Sequence, residues 1–495
     1  MVDVYERALD PVVFSHLSDV ADKLGVNAYV VGGYVRDFFL GIPNDDIDIV
    51  VEGGSGLDFA KVFGEMVGGE VQLYENYGTA KVHYSGGEVE FVGCRREAYE
   101  RGSRKPIVEE GTLSDDLNRR DFTINAMAFS INKKTYGYLV DKFNGISDLK
   151  HGIIRCVGTP DDRFSEDPLR IWRMVRFKCK LSRPDKEFHY DISTFDAAKR
   201  NAYRNEILSK ERIVEEFDKI MKTQYAPDGV RALKELGLLK LTLPEVDALS
   251  MPDDKGHKDV FEHTMQVLWN VCQKSDDLYL RWAALLHDIG KVPTRKFEPG
   301  FGWTFYGHAE VGAKMVEKIF RRMKMPTDTR MGFVMKMVAM HMRPNTLAEE
   351  GVTDSAIRRL LFDAGDDIEK LMILCKSDVT TRYENKRQRI YENMCKIEER
   401  MAEIEEKDAI RNFKNPVDGY LVMGVYGLKP CKEISVIKDA VKDAILDGKI
   451  PNDYNAAVGV MKEKAKEIGL TPVPDAEKII FANGTTKDVE PVKEV

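Results

Sequence analysis

Asp46-Ile47-Asp48 sets two carboxylates at i and i+2. On an extended strand this spacing aims both at one face, while Ile47 and Ile49 turn toward a core. Two like charges a few ångströms apart repel unless a cation lies between them. Paired carboxylate oxygens, completed by substrate phosphates, make the shell that Mg²⁺ favours. An acidic strand edge facing solvent carries the same letters, so the neighbours decide. Upstream, Gly32 and Gly33 leave backbone N–H groups unshielded where a helix begins, and its positive end suits an anion. Arg36 lies one turn into that helix, within reach of a triphosphate. Gly-Gly and D-x-D are each unspecific, but with Arg36-Asp37 between them they fill only 17 residues. Glu90, on the stretch EVEFVGC, is a candidate third carboxylate by its place in the sheet.

A second group of charges is basic. Arg170, Arg173, Arg176, Lys178, Lys180 and Arg183 follow one another with no acid among them, and Lys199, Arg200, Arg204, Lys210 and Arg212 come after. Such runs are often solvated helix faces. Here Arg170, Arg173 and Arg176 share one side of a helix beside Trp172, Val175 and Phe177. Buried there they need anions, and a triphosphate or RNA backbone is the expected partner. Asp167 before Pro168 also reads as an N-cap with proline at the first helical position.

The elements that must position these groups fall into two styles. Residues 10–24 have helical spacing, with Asp10 as N-cap and Pro11 opening the helix. NAYVVGG and IDIVVEG read as strands, and GTAKVHY with EVEFVGC as a hairpin turned at Ser85-Gly86-Gly87. FTINAMAF reads as a further strand. The first 150 residues are therefore a mixed α/β domain with a mostly antiparallel sheet. From about residue 165 helical periods dominate and strand signals nearly vanish. Residues 386–412 predict a long, charged, largely exposed helix, and the last residues a polar tail.

Composition sets outer bounds. A chain of 495 residues suggests three or four domains. No stretch approaches the roughly 18 consecutive apolar residues of a membrane helix, and the N-terminus lacks the layout of a signal peptide. Seven scattered cysteines form no C-x-x-C pair, which argues for a reduced, cytoplasmic setting. The net charge of −8 does not announce a nucleic-acid binder, although a phosphate-binding face needs only a local excess.

VVGGYVRDFFLG…DDIDIV resembles the head of the class II CCA-adding tRNA nucleotidyltransferases and poly(A) polymerases. RRDFTINAMAF, DKFNGISDL, EDPLRIWRMVRF and KERIVEEF resemble later motifs of that family in the same order. The resemblance spans about residues 10–470 and implies an α+β fold. A polymerase-β-like nucleotidyltransferase head (1–150) precedes an all-helical neck (151–250), an HD domain (251–385), a tRNA-binding region (386–480) and a polar tail (481–495). It also implies Mg²⁺ at Asp46 and Asp48, with CTP, ATP and tRNA as partners. Asp167 and Arg170 would face the Watson–Crick edge of the base, and Arg119 or Arg120 the ribose and phosphates.

His263, His287-Asp288 and Asp378 resemble the H…HD…D arrangement of the HD phosphohydrolases, with AALLHDIGKVP as the most typical stretch. His308 and His341 are two further candidate ligands. Imidazole and carboxylate together suit Mn²⁺, Ni²⁺, Fe²⁺, Zn²⁺ or Mg²⁺. The resemblance implies a phosphatase or phosphodiesterase acting on RNA ends. Rival readings are a poly(A) polymerase, a CC- or A-adding enzyme, and an HD hydrolase with a regulatory transferase-like head. Enzymes of the last kind carry the HD domain first and lack RRD and EDPLR. A pure RNA-binding module would not need D-x-D behind a glycine turn.

Overall fold

The structure, a computed structural model, describes residues 4–9, 11–98, 107–251, 259–300, 302–350, 353–381, 383–408 and 413–487. The chain divides into two compact units, residues 1–248 with 321–325, and residues 249–320 with 326–495.

The first unit opens with α1 (Val12–Leu24), β1 (Asn27–Val31), α2 (Gly33–Leu40), β2 (Ile47–Glu52) and α3 (Gly56–Val67). Next come β3 (Glu70–Tyr74), β4 (Thr79–Tyr84), β5 (Gly87–Gly93) and a separate ribbon of β6 (Arg95–Ala98) and β7 (Ile107–Glu110). Then follow α4 (Leu113–Asn118), β8 (Ala128–Ser130) and β9 (Leu139–Val140). Seven strands form one sheet in the order β3-β4-β5-β2-β1-β8-β9. Its pairs are antiparallel except β2 with β5, which run parallel and set Asp48 beside Glu90.

Alternation along β5 sends Val89 and Phe91 to one face and Glu88 and Glu90 to the other. α3 covers the first face, where Phe59 and Phe63 meet Phe91 with ring centroids 5.5 and 5.4 Å apart. Full burial of a phenylalanine stabilises by about 1.5–3 kcal/mol, so this cluster fixes α3 against the sheet. The opposite face carries Asp48 and, two residues on, Val50. There Leu113 and Leu117 of α4 pack on Val31 and Val50. Both acids and α4 therefore share one side of the sheet.

Two expectations need correction here. Pro11 stands before α1 and not within it, because the first helical residue is Val12; Asp10 lies outside the described residues. FTINAMAF is not one strand: Thr123–Asn125 is a 3₁₀ turn and only Ala128–Ser130 joins the sheet. The side chains explain the break. Thr123 Oγ1 donates to Asp148 Oδ2 at 2.7 Å, and Asn125 Nδ2 donates to Asp121 Oδ1 at 3.2 Å. Such local bonds compete with a β-ladder.

The rest of the first unit is largely helical. It comprises α5 (Gly145–His151), α6 (Pro160–Glu166), α7 (Leu169–Leu181), α8 (Ile192–Asn201), α9 (Lys210–Met221), α10 (Ala226–Glu235), α11 (Leu238–Thr242) and α12 (Pro244–Asp247). The two-residue strands β10 (Ile153–Ile154) and β11 (His189–Tyr190) pair in parallel beside them. α7 is held by Trp172, which is fully buried, rests on Phe217 of α9 and donates to Asn205 Oδ1 at 2.9 Å.

The second unit is built from α13 (Val260–Cys272), α14 (Leu278–Leu286), α15 (Lys291–Thr294), α16 (His308–Met323), α17 (Thr329–Met340), α18 (Arg343–Glu350), α19 (Asp354–Ala364) and α20 (Ile368–Asp378). An antiparallel ribbon of β12 (Lys296–Glu298) and β13 (Gly302–Thr304) interrupts it, a strand pair that the helical periods concealed. α21 (Glu384–Asp408) is less exposed than expected, since Met394, Ile397, Met401 and Ile404 bury one stripe. α22 (Gly419–Tyr426), α23 (Lys432–Leu446), α24 (Tyr454–Glu467) and α25 (Ala476–Lys487) follow, around a core that includes Leu421, Ile437, Val441 and Met461. Part of the expected polar tail is thus helical as far as Lys487. Among the described residues no helix is long and apolar enough to cross a membrane.

Candidate active sites

One cavity of about 850 Å³ lies within the first unit. Gly32, Gly33, Arg36, Asp46 and Asp48 line one part of it, and Arg119, Arg120, Asp167, Arg170 and Arg173 another. Lys180 and Arg212 complete a wall of seven cationic side chains against five carboxylates. The local excess is positive in a chain that is acidic overall. Glu90 and Arg176 are not among its lining residues.

Asp46 precedes β2 by one residue and is exposed, while Asp48 is half-buried within the strand. Burial, followed by the charges of Asp46 and Glu90, pushes the Asp48 carboxyl up to about 6. An acid cluster that strains against its own charge, with oxygen donors only, suits a hard divalent cation. Glu90 is engaged elsewhere, in an ion pair with Lys81, its cross-strand neighbour. Asp46 and Asp48 are the carboxylates of this group that line the cavity, where they could hold a divalent cation.

The glycine turn serves close approach. Gly32 has φ +71°, and a Cβ there would lie 2.9 Å from Arg120 Nη1. Arg120 and Arg119 are both held by Asp116, which is fully buried on α4. Arg119 Nε and Nη2 donate to its Oδ1 at 2.9 and 2.6 Å, and Arg120 Nε and Nη2 to its Oδ2 at 3.1 and 3.0 Å. Burial alone would raise the Asp116 carboxyl, but the two guanidinium groups bring it below the usual range.

Arg36 is less available than its position suggests. Its Nε and Nη2 donate to both oxygens of Asp37 at 2.7 and 2.8 Å, and its Nη1 donates to Asn125 Oδ1 at 2.8 Å. The arginines of α7 likewise have carboxylate partners inside the protein, contrary to the expectation that they wait for phosphate. Arg170 Nη1 pairs with Glu166 at 3.0 Å, and its Nη2 donates to the Arg119 carbonyl at 2.8 Å. Arg173 pairs with Asp121 at 2.7 Å and Arg176 with Glu216 at 3.0 Å. Burial would raise Asp121, yet Arg173 draws it down to about 2. Asp167 caps α7 from one residue further out than expected, its Oδ1 accepting from Leu169 N–H at 3.0 Å, because Pro168 holds the N-cap position. Asn44, Asp116, Asp121 and Asn125 escaped the sequence reading. Asp116, close before the RRD stretch, and Asp121 within it were the available signal.

The second unit gathers its own cluster. His263, His287 and Asp378 form one group of ligand atoms within 4.8 Å of one another, and Asp288, His308 and His341 form another. Asp288 connects them. Its Oδ2 lies 3.2 Å from His287 Nε2 and 3.5 Å from His263 Nε2, and its Oδ1 lies 3.6 and 3.8 Å from His308 and His341 Nε2. Each ring is oriented through its other nitrogen. Nδ1 of His287, His308 and His341 bonds the Ala284, Phe305 and Val338 carbonyls at 2.8, 2.9 and 2.7 Å, and Nδ1 of His263 bonds Thr380 Oγ1 at 2.8 Å. A carbonyl can only accept, so Nδ1 carries a proton in those three, which leaves Nε2 as the ring atom that would meet a metal.

Burial, then the neighbouring His287, lowers His341 to about 4 and keeps it neutral. Asp288 Oδ1 is buried without a hydrogen-bond partner. Orphaned lone pairs of this kind are what a metal ion satisfies. Gly290 allows the two halves to meet, since a Cβ there would lie 2.0 Å from the His308 carbonyl.

Comparisons with known proteins agree with this layout. Family models match the Poly A polymerase head domain at residues 28–155, the RNA- and SrmB-binding segment of polymerase A at 187–249, and the HD domain at 260–383. An A-adding tRNA nucleotidyltransferase from Deinococcus radiodurans is 30% identical over 451 residues, covering 88% of this chain and 95% of the relative. A Thermotoga maritima CCA-adding enzyme complexed with tRNA shares the fold at 22% identity and TM-score 0.59, over 94% of this chain and 99% of that one. A CCA-adding enzyme complexed with CTP gives TM-score 0.63 at 22% identity, over 95% and 99% of the two chains. This chain therefore belongs to the tRNA nucleotidyltransferase and poly(A) polymerase family, as an enzyme with a nucleotidyltransferase head and an HD domain.

Proposed function

We propose that the chain adds C and A from CTP and ATP to the 3′ end of tRNA without a template, releasing pyrophosphate. The observation that carries this reading is the single cavity where the Asp46–Asp48 pair, the Gly32 turn and the cations around Asp167 meet. In this reaction the RNA 3′-hydroxyl attacks the α-phosphate of the nucleotide. Asp46 and Asp48 would hold Mg²⁺, which when bound would supply charge neutralisation and a lowered hydroxyl pKa. Arg119 and Arg120, fixed by Asp116 beside Gly32, hold the triphosphate. The Asp167 carboxylate accepts from the exocyclic amine that C and A carry where U and G present a carbonyl.

A tRNA lacking its CCA, incubated with labelled CTP and ATP, should gain three residues. A long A-tail would overturn the reading in favour of a poly(A) polymerase. The name of the Deinococcus relative favours a second reading, addition of the terminal A alone. That reading predicts extension of tRNA ending in CC and none of tRNA ending before it.

The histidine–aspartate cluster supports a metal-dependent phosphohydrolase acting on the phosphate of an RNA end. His263, His287 and Asp378 would hold a divalent ion (Mn²⁺, Ni²⁺, Fe²⁺, Zn²⁺ or Mg²⁺), and Asp288, His308 and His341 extend the set. Such an ion would supply polarisation of a phosphate and of its attacking water. His287→Ala should lower bound metal and reduce phosphatase activity at least about a hundredfold. Nucleotide addition by the same variant should be unchanged. Absence of hydrolysis by the unaltered protein with each of these metals would sink this part.

A further inference from the structure

Between Asp288 and His308 the chain makes an excursion, through α15 and the β12–β13 ribbon, before α16 begins. Both feet of that excursion touch the metal-binding cluster. Lys291 Nζ donates to Asp288 Oδ2 at 2.7 Å, and the Phe305 carbonyl accepts from His308 Nδ1 at 2.9 Å. So short a ribbon has no core of its own and depends on side-chain pairs. Phe297 faces Trp303 across the strands, edge to face, with centroids 5.3 Å apart. Arg295 lays its guanidinium 3.9 Å from the Trp303 ring centroid, and Lys291 Nζ stands 5.9 Å from that of Phe305.

The aromatic surface is not sealed. Phe297 is 43% exposed and Tyr306, two residues before His308, is 76% exposed. Across residues 291–308 the cations Lys291, Arg295 and Lys296 face one acid, Glu298. A single exposed ring needs no explanation. Rings interleaved with cations beside a phosphate-cleaving cluster have the chemistry that single-stranded nucleic acid uses: bases stack on the rings while guanidinium and ammonium groups meet the backbone.

We propose that Arg295, Phe297, Trp303 and Tyr306 form a docking surface for the last nucleotides of a single-stranded RNA, leading its terminal phosphate to the cluster around Asp288. The proposal rests on the phosphohydrolase reading of that cluster. A mononucleotide would occupy one ring beside the cluster. Rings placed both on the ribbon and at its foot provide for several bases in series.

The test compares Tyr306→Ala and Phe297→Ala with the unaltered protein, in Mn²⁺ or Ni²⁺, on two substrates. One is a 3′-phosphorylated single-stranded RNA decamer, and the other is p-nitrophenyl phosphate, which has no nucleotide chain to lie along the ribbon. The KM for the decamer should rise about tenfold in each variant. Its kcat and both constants for p-nitrophenyl phosphate should hold, and Tyr306→Trp should restore the decamer KM. An unchanged decamer KM overturns the proposal, and so does an equal loss on both substrates, which would make the ribbon merely a support for the cluster.

A protein that hydrolyses neither substrate would defeat the phosphohydrolase reading, so a second arm does not depend on turnover. A decamer ending in 4-thiouridine is cross-linked by ultraviolet light and the adducts are mapped. Adducts at Phe297, Trp303 or Tyr306 support the surface. Adducts confined to other parts of the chain overturn it.

Discussion

Asp48→Asn is expected to lower kcat for nucleotide addition by about a thousandfold or more, while the melting temperature stays level or rises. The activity loss follows from removing one of two carboxylates that face the cavity, where a metal contact is worth several kcal/mol in the transition state. The stability change has the opposite sign for a physical reason. Burial and the charges of Asp46 and Glu90 raise this carboxyl to about 6, so holding it ionised at neutral pH costs more in the folded protein than in the unfolded chain. Against an unfolded value near 4 that amounts to about 2–3 kcal/mol of strain, which a neutral amide relieves. Single-turnover addition to a labelled tRNA, set beside thermal unfolding in chelator, measures both. A variant that keeps a tenth of its activity would remove Asp48 from the chemistry. One that melts well below the unaltered protein would mean the carboxylate supports the fold instead.

Asp116→Asn should produce the contrary pattern, damage to both stability and nucleotide affinity. The residue touches no substrate in the proposed reaction and acts by positioning Arg119 and Arg120. An amide cannot accept four guanidinium N–H bonds, and its own NH₂ would face a cation. Breaking a buried ion pair from one side costs about 3–5 kcal/mol, and partial exposure of both arginines argues for the lower end. The KM for ATP and CTP should rise at least about tenfold. Lowering by the arginines also gives a pH signature: the stability Asp116 lends is complete at neutral pH and is lost as the pH falls below about 4. Asp116→Asn should lack that component of acid destabilisation. Asp116→Glu, which keeps two acceptor oxygens, should recover part of the affinity, whereas a merely structural lesion would leave KM alone.

Local patterns were legible and long-range pairings were not. Alternation and the two glycine turns placed β1, β2 and the β4–β5 hairpin, because each depends on neighbours a few residues away. The HD histidines stood out because HDIGK is contiguous. Arg173 was read as awaiting phosphate because its partner, Asp121, lies 52 residues earlier on another element. Arg176 was misread in the same way, since Glu216 belongs to α9. Charge counted along α7 shows only cations, and only the packed fold shows the acids brought to them. FTINAMAF failed differently: its apolar letters fit a strand, but the side-chain bonds of Thr123 and Asn125 turn the backbone away from one.

The parallel pairing of β2 with β5 also bears on how the head comes into being. A hairpin can close while its second strand is still being added, but β2 cannot meet β5 until α3, β3 and β4 have folded back between them. Asp48 and Glu90, about forty residues apart, become neighbours only through that detour. Contacts of such sequence separation form slowly, because chain entropy is lost before any pairing rewards it. During refolding, the β4–β5 hairpin should gain amide protection before β2 does, and the acidic cluster should be among the later parts of the sheet to assemble.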